Sequence, residues 1–182
     1  MFLNSTHTYG LIAILLHWLM ALLITGLFVM GIWMVDLDYY HAWYHRAPDL
    51  HKSLGVLTLF LFLFRVVWRW ANPLPEPEKT LKNWERKVSH IVHITLYILT
   101  FIIILSGYLI STAGNNPVSF FGWFDMAQLF EPFDGQEDQS GEVHRVLSWV
   151  MIILVGLHTL ASLKHHFIDH DKTLLKMLGR RS

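Results

Sequence analysis

Apolar positions along the chain gather into four long blocks, separated by three polar connectors and followed by a basic tail. The first block runs from about Leu11 to Val35 and holds no Asp, Glu, Lys or Arg. The second, about His51 to Trp70, carries Arg65 and Arg69 towards its end, the third spans about Val88 to Thr112, and the fourth about Val143 to His166. About 20 residues of helix cross a bilayer, so each block is long enough. Inside lipid only a helix or a closed barrel satisfies every backbone group. No ten-residue alternation of a barrel is present. The pattern predicts an all-α membrane protein. Its fold is a four-transmembrane-helix bundle forming one domain over residues 1–182, with helices at about 11–35, 51–70, 88–112 and 143–166.

The connectors differ in kind. Asn72-Pro73-Leu74-Pro75-Glu76-Pro77 reads as a stiff spacer. The third connector, about 113 to 142, is expected to include a short amphipathic piece near Phe120–Phe130 lying at the interface. The first block is too long for a signal peptide, lacks basic residues ahead of it and is followed by no small-residue cleavage site, so it is expected to be retained.

Composition supports the membrane reading. Of 182 residues, 53% are apolar and only 15% charged, where a soluble domain has about a quarter charged. A net charge of zero without a basic block argues against nucleic acid as a partner. The absence of cysteine excludes disulfides, thiolate metal sites, iron–sulfur clusters and covalently attached haem. Charge also orients the chain. Arg65, Arg69, Lys79, Lys82, Arg86 and Lys87 fall in or beside the second connector, and Lys164, Lys172, Lys176, Arg180 and Arg181 in the tail. Only Arg46, Lys52 and Arg145 fall on the opposite side. The positive-inside rule therefore predicts cytoplasmic N- and C-termini.

Titratable side chains at membrane depth mark function, and the chain has 12 His. His17 lies in the first helix, His51 opens the second, and His144 and His158 share the fourth. Fourteen residues at about 100° each fall only about 40° short of four turns, so His144 and His158 lie on one stripe, about 21 Å apart along the axis. With alternating helix directions, His51 and His144 fall near the periplasmic side, and His17 and His158 near the cytoplasmic side. Two histidine pairs, one per leaflet, are what two bis-imidazole b haems would need in a bundle core. The 14-residue interval also places Arg65 on the stripe of His51 at the level of the other haem, where a propionate needs a cation. It likewise sets Gly31 relative to His17, and Gly107 relative to His93, where a flat macrocycle would require close backbone approach.

Plainer readings compete. A single membrane histidine can simply hydrogen-bond across a bundle, and small residues serve helix packing anyway. Four histidines paired by depth weigh against a purely structural role. His90 and His93, one turn apart, compete with His17 as ligands, although their place beside the basic connector fits contact with quinone or with the ligand shell. His165, His166 and His170 are expected to meet headgroups or solvent, and His7, His41 and His45 read as loop residues. Trp33, Tyr39, Tyr40, Trp43 and Tyr44 read as an interfacial belt.

Several strings, in order, resemble the bacterial cytochrome b561 family over essentially the whole length. They are His17-Trp18-Leu19, His51-Lys52-Ser53-Leu54-Gly55, Arg65-Val66-Val67-Trp68-Arg69, His90-Ile91-Val92-His93, Gly156-Leu157-His158 with His165-His166-Phe167, and Asp171-Lys172-Thr173-Leu174-Leu175-Lys176-Met177. The resemblance is nearest to the superoxide:ubiquinone oxidoreductase type. It implies a di-haem b cytochrome of the bacterial inner membrane, with non-covalent bis-His haem b and ubiquinone as exchangeable redox partner. By the family pattern His17 and His158 hold the cytoplasmic-side haem iron, and His51 and His144 the periplasmic-side one.

The leading expectation is electron transfer between a periplasmic donor and the ubiquinone pool, a quinone-linked oxidoreductase in the broad sense, with lipid around it and a homodimer admitted. The alternative is a superoxide oxidase. Against it, Arg46, Lys52 and Arg145 face Asp36, Asp38, Asp49 and six acids of the third connector, a field that repels anions. A haem-free membrane subunit or metal carrier is a third reading, disfavoured because acids are confined to loops and helix ends.

Overall fold

In the computed structural model, residues 2–78 and 80–179 are described; Lys79, Arg180 and Arg181, counted among the basic residues above, lie outside them. The element order is α1 (Leu11–Val35), α2 (Arg46–Ala71), α3 (Asn83–Thr112), β1 (Val118–Phe120), β2 (Phe124–Met126), α4 (Gln136–Phe167) and α5 (Thr173–Met177). The four long helices are each apolar and long enough to cross a membrane, and their many exposed large apolar side chains, Leu22, Val67, Ile98 and Ile153 among them, are the surface that lipid covers.

α1 starts with its apolar block, whereas α2, α3 and α4 start ahead of theirs. α2 begins at Arg46 rather than at His51; Pro48 is tolerated in a first turn, and Asp49 there complements the helix dipole and pairs with Lys52 at 2.8 Å. α3 begins at Asn83 rather than near Val88, where Glu85 Oε2 accepts the Lys82 backbone N–H at 2.9 Å, half of a capping box. α4 begins at Gln136 rather than near Val143; buried Gln136 donates from Nε2 to the Leu109 carbonyl at 2.8 Å.

The third connector differs from the expected amphipathic piece. It forms an antiparallel hairpin pairing Val118 with Met126, Ser119 with Asp125 and Phe120 with Phe124. Phe121 and Gly122 at the tip have φ of 51° and 72°, left-handed values that turn the chain within three residues. Val118 and Phe120 are buried with Val56, Leu57, Tyr108 and Met126, and this anchorage favours a short strand pair over a free surface segment.

The chain gathers into two compact units. Unit 1 comprises Met1–Ala21, Leu61–Ile98 and Ile153–Ser182, and unit 2 comprises Leu22–Phe60 and Leu99–Ile152. Each draws a segment from all four long helices. In unit 1 the ends of the chain are tied to the proline-rich connector. Asn4 Nδ2 donates to the Pro73 carbonyl at 3.0 Å, the Glu76 N–H to the Thr6 carbonyl at 2.8 Å, and Lys176 Nζ to the Glu76 carbonyl at 3.0 Å. Lys176 also pairs with Glu78 at 2.6 Å, and Trp18 Nε1 donates to the Met177 carbonyl at 2.8 Å.

Candidate functional site

Imidazoles from different helices meet in both units, two in unit 2 and three in unit 1. In unit 2, His51 of α2 and His144 of α4 face each other with ring centres 6.2 Å apart and planes at 71°. His51 lies in the second turn of α2, not at its start. His144 Nδ1 stands 3.0 Å from the Ile103 carbonyl oxygen and 3.2 Å from Ser106 Oγ. A carbonyl only accepts, so Nδ1 carries the hydrogen and Nε2 presents a lone pair. The Nδ1 of His51 is buried without a hydrogen-bond partner.

Two glycines line this pair. A Cβ on Gly31 would come 3.5 Å from His51 Cε1, and one on Gly107 would come 3.2 Å from His144 Cε1. Both were singled out from the 14-residue spacing, and both back directly onto an imidazole. An open cleft of about 390 Å³ is lined by Asp49, Leu50, Ser53, Ser119, Phe121 and Gly122, with Leu50 and Ser53 on the α2 turns that flank His51. Ser53 holds the hairpin there: it donates to the Asp49 carbonyl at 2.9 Å and accepts the Phe121 N–H at 3.0 Å.

In unit 1, His17 of α1 and His158 of α4 have ring centres 6.3 Å apart with planes at 63°. Here the two competitors separate. His93 packs against His158 with ring centres 5.3 Å apart, whereas His90 is exposed. Arg65 lies beside this pair, with Nη2 3.4 Å from His17 Nδ1 and Nε donating to Tyr97 Oη at 3.0 Å. The guanidinium carbons of Arg65 and Arg69 stand 5.8 and 5.7 Å from the centre of the Tyr97 ring, within cation–π range. Tyr97 went unnoticed in the sequence; its place one turn after His93 was the available signal.

The predicted belt is a contact set: Trp33 packs on Trp43 with ring centres 6.0 Å apart, and Tyr39 on Tyr44 at 5.4 Å. His165 departs from expectation. Instead of meeting headgroups or solvent it is bonded to Asp169 at 2.7 Å with its side chain 15% exposed, because acids on the chain beyond α4 fold back to it.

Comparison with known proteins agrees with the four long apolar helices. The profile of the prokaryotic cytochrome b561 family matches residues 8–180. Cytochrome b561 homolog 2 of Escherichia coli (strain K12) is 44% identical over 181 residues, covering 100% of this chain and 96% of that protein. Cytochrome b561 homolog 1 of the same organism is 27% identical over 142 residues, covering 76% and 78%. A probable superoxide oxidase CybB of Yersinia pestis is 25% identical over 182 residues, covering 95% and 97%. The chain belongs to the prokaryotic cytochrome b561 family, multi-pass electron-transfer cytochromes of the bacterial inner membrane that carry haem b.

Proposed function

We propose that the protein holds two b haems and exchanges electrons between a periplasmic donor and ubiquinone, with both termini in the cytoplasm. The observation that carries this reading is the spacing of the two imidazole pairs, 6.2 and 6.3 Å between ring centres. A metal bonded at about 2 Å to the near nitrogen of each of two opposed imidazoles leaves the ring centres roughly 6 Å apart. At 5.3 Å His93 and His158 are too close for that arrangement, which favours His17 as the partner of His158.

The other residues fit the same group. His144 is held by Ile103 in the tautomer that a metal requires, an outer contact that fixes a ligand's orientation. Gly31 and Gly107 leave room beside the rings. Arg65 is held by Tyr97 through Nε and donates only a long, weak bond from Nη2 to His17, so the Nη end of its guanidinium could turn to a carboxylate such as a haem propionate. Haem iron supplies the one-electron chemistry, and the protein supplies ligation, a dry surround and compensating charge. His17 with His158, and His51 with His144, would hold the two irons, so a substrate would exchange electrons without bonding to iron.

The superoxide reading draws on the relative whose name is a probable superoxide oxidase. The charge around unit 2 weighs against it. Lys52 and Arg145 are already paired with Asp49 and Glu142 at 2.8 and 2.7 Å, so they add little attraction for an anion.

A pyridine haemochrome assay of the purified protein tests the main reading. About two b haems per chain are expected, with His144→Ala and His158→Ala each affecting chiefly a different haem. A wild-type protein without haem, or with one haem abolished alike by both substitutions, overturns it. Quinol formation from superoxide at an ordinary rate would favour the second reading.

A further inference from the structure

Electron transfer makes no use of a charged cluster in unit 1, where the start of α3 meets the end of α4 and the chain beyond it. Lys164 Nζ bonds Glu85 Oε1 at 2.8 Å and Asp169 Oδ2 at 2.7 Å. The same Asp169 oxygen lies 2.7 Å from His165 Nδ1. One ligand atom from each of Glu85, His165 and Asp169 falls within 4.8 Å of the others. Two atoms bound at about 2 Å to one ion are at most about 4 Å apart, so small side-chain rotations suffice to close the group on a metal.

Asp171 distinguishes this cluster from an ordinary ion-pair network. Its side chain is fully buried, and Oδ1 accepts the Thr173 N–H at 2.9 Å. Oδ2 has no hydrogen-bond partner. It faces His165 Nδ1 at 3.6 Å, but that nitrogen has a single hydrogen to give and already meets Asp169 at 2.7 Å. A buried carboxylate oxygen aimed into a cluster without a proton to receive is costly unless a cation serves it. Three carboxylates share this cluster with one ammonium, which bonds two of them, so the cluster is short of positive charge.

We propose that Glu85, His165 and Asp169 bind a divalent first-row transition cation of the zinc type, which displaces Lys164 Nζ and sits towards His165, where the buried Asp171 oxygen 3.6 Å from Nδ1 faces it. An imidazole among the carboxylates selects zinc-like ions over Mg²⁺ or Ca²⁺. Lys164 can leave, because its side chain is 42% exposed on a flexible stem. A divalent ion bound between His165 and the two acids would keep Glu85 and Asp169 satisfied and bring positive charge to the side of His165 that Asp171 faces.

The test uses the haem-loaded protein in detergent after dialysis against chelator, titrated with ZnCl₂ and, as control, MgCl₂. Metal content per chain and thermal unfolding are followed, and haem content is monitored throughout. One Zn²⁺ per chain is expected to survive desalting, with affinity at least about tenfold weaker in Asp171→Asn and in His165→Gln. Lys164→Met gives the decisive comparison. Without metal it is less stable than wild type; Zn²⁺ restores its melting temperature and binds it more tightly than it binds wild type, and Lys164→Met with Asp171→Asn gains nothing. Zinc binding indifferent to both His165→Gln and Asp171→Asn would place the ion elsewhere among the histidines and overturn the proposal. So would a destabilised Lys164→Met that zinc leaves unchanged, which is the behaviour of a closed ion-pair clamp.

Discussion

Alanine at Gly107 sets two effects of opposite sign against each other. In an open helix, Gly→Ala stabilises by about 1 kcal/mol through the backbone. At position 107, however, the new methyl would stand 3.2 Å from His144 Cε1 and 3.4 Å from its Nδ1, so the ring must retreat by a few tenths of an ångström. It is tethered against retreat by the Ile103 carbonyl at 3.0 Å and Ser106 Oγ at 3.2 Å. Overpacking of this kind costs about 1–3 kcal/mol, so the net effect lies between neutral and about 2 kcal/mol destabilising. Gly31→Ala is the matched control, because its Cβ would sit 3.5 Å from His51 Cε1, an ordinary contact that leaves the backbone gain intact. The assay is loss of the haem absorption band on heating, with haem content by pyridine haemochrome. Gly107→Ala is expected to release one haem at lower temperature than wild type, while Gly31→Ala retains both. If Gly107→Ala holds its haem as well as Gly31→Ala does, His144 is not confined by that backbone and the cradle proposed for this pair is wrong.

Arg65→Gln is expected to lower the midpoint potential of one haem and leave the other in place. One charge at roughly 8 Å in an effective dielectric of about 20 is worth about 2 kcal/mol, on the order of 50–100 mV for one electron; redox titration checks it, and unchanged potentials would remove Arg65 from the haem's surroundings. His93→Ala should alter the spectrum of one haem with about two haems still bound, and His90→Ala should be spectrally silent. Ser53→Ala leaves the Phe121 N–H unpaired beside a 4% exposed position, at a cost of about 1–3 kcal/mol read as a lower melting temperature. The Lys164 ammonium holds the Asp169 carboxyl below the usual carboxylate range. Its contribution is therefore full above the unfolded value near 4 and fades as pH falls through the folded one. The melting difference between wild type and Asp169→Asn should shrink from about pH 4 downwards; a difference that grows in acid would contradict the pairing.

Hydropathy located the lipid-crossing stretches well, because Leu, Ile, Val and Phe dominate them, but it is blind to helix ends that project beyond lipid. The starts at Asn83 and Gln136 depend on a Glu85 cap and on a Gln136 bond to Leu109, and neither leaves an apolar trace. The 14-residue interval brought out Gly31 and Gly107, which the structure sets against the His51 and His144 rings, since a helix keeps its phase over four turns. It could not separate His90 from His93, which sit one turn apart and are told apart only by what packs against α3. The hairpin escaped notice because three-residue strands have almost no periodicity and depend on burial against Val56 and Tyr108. The cluster around Lys164 was equally hidden, its Glu85 partner lying 79 positions away.

The knot of bonds joining Asn4, Thr6, the proline-rich connector, Lys176 and Met177 bears on how the molecule is made. Because Trp18 and Glu76 bond to Met177 and Lys176, this fastening can close only after all four long helices have been synthesised. Until then α1 and the proline-rich connector lack these bonds, and a chain stopped short of Asp171 would be made without this clasp.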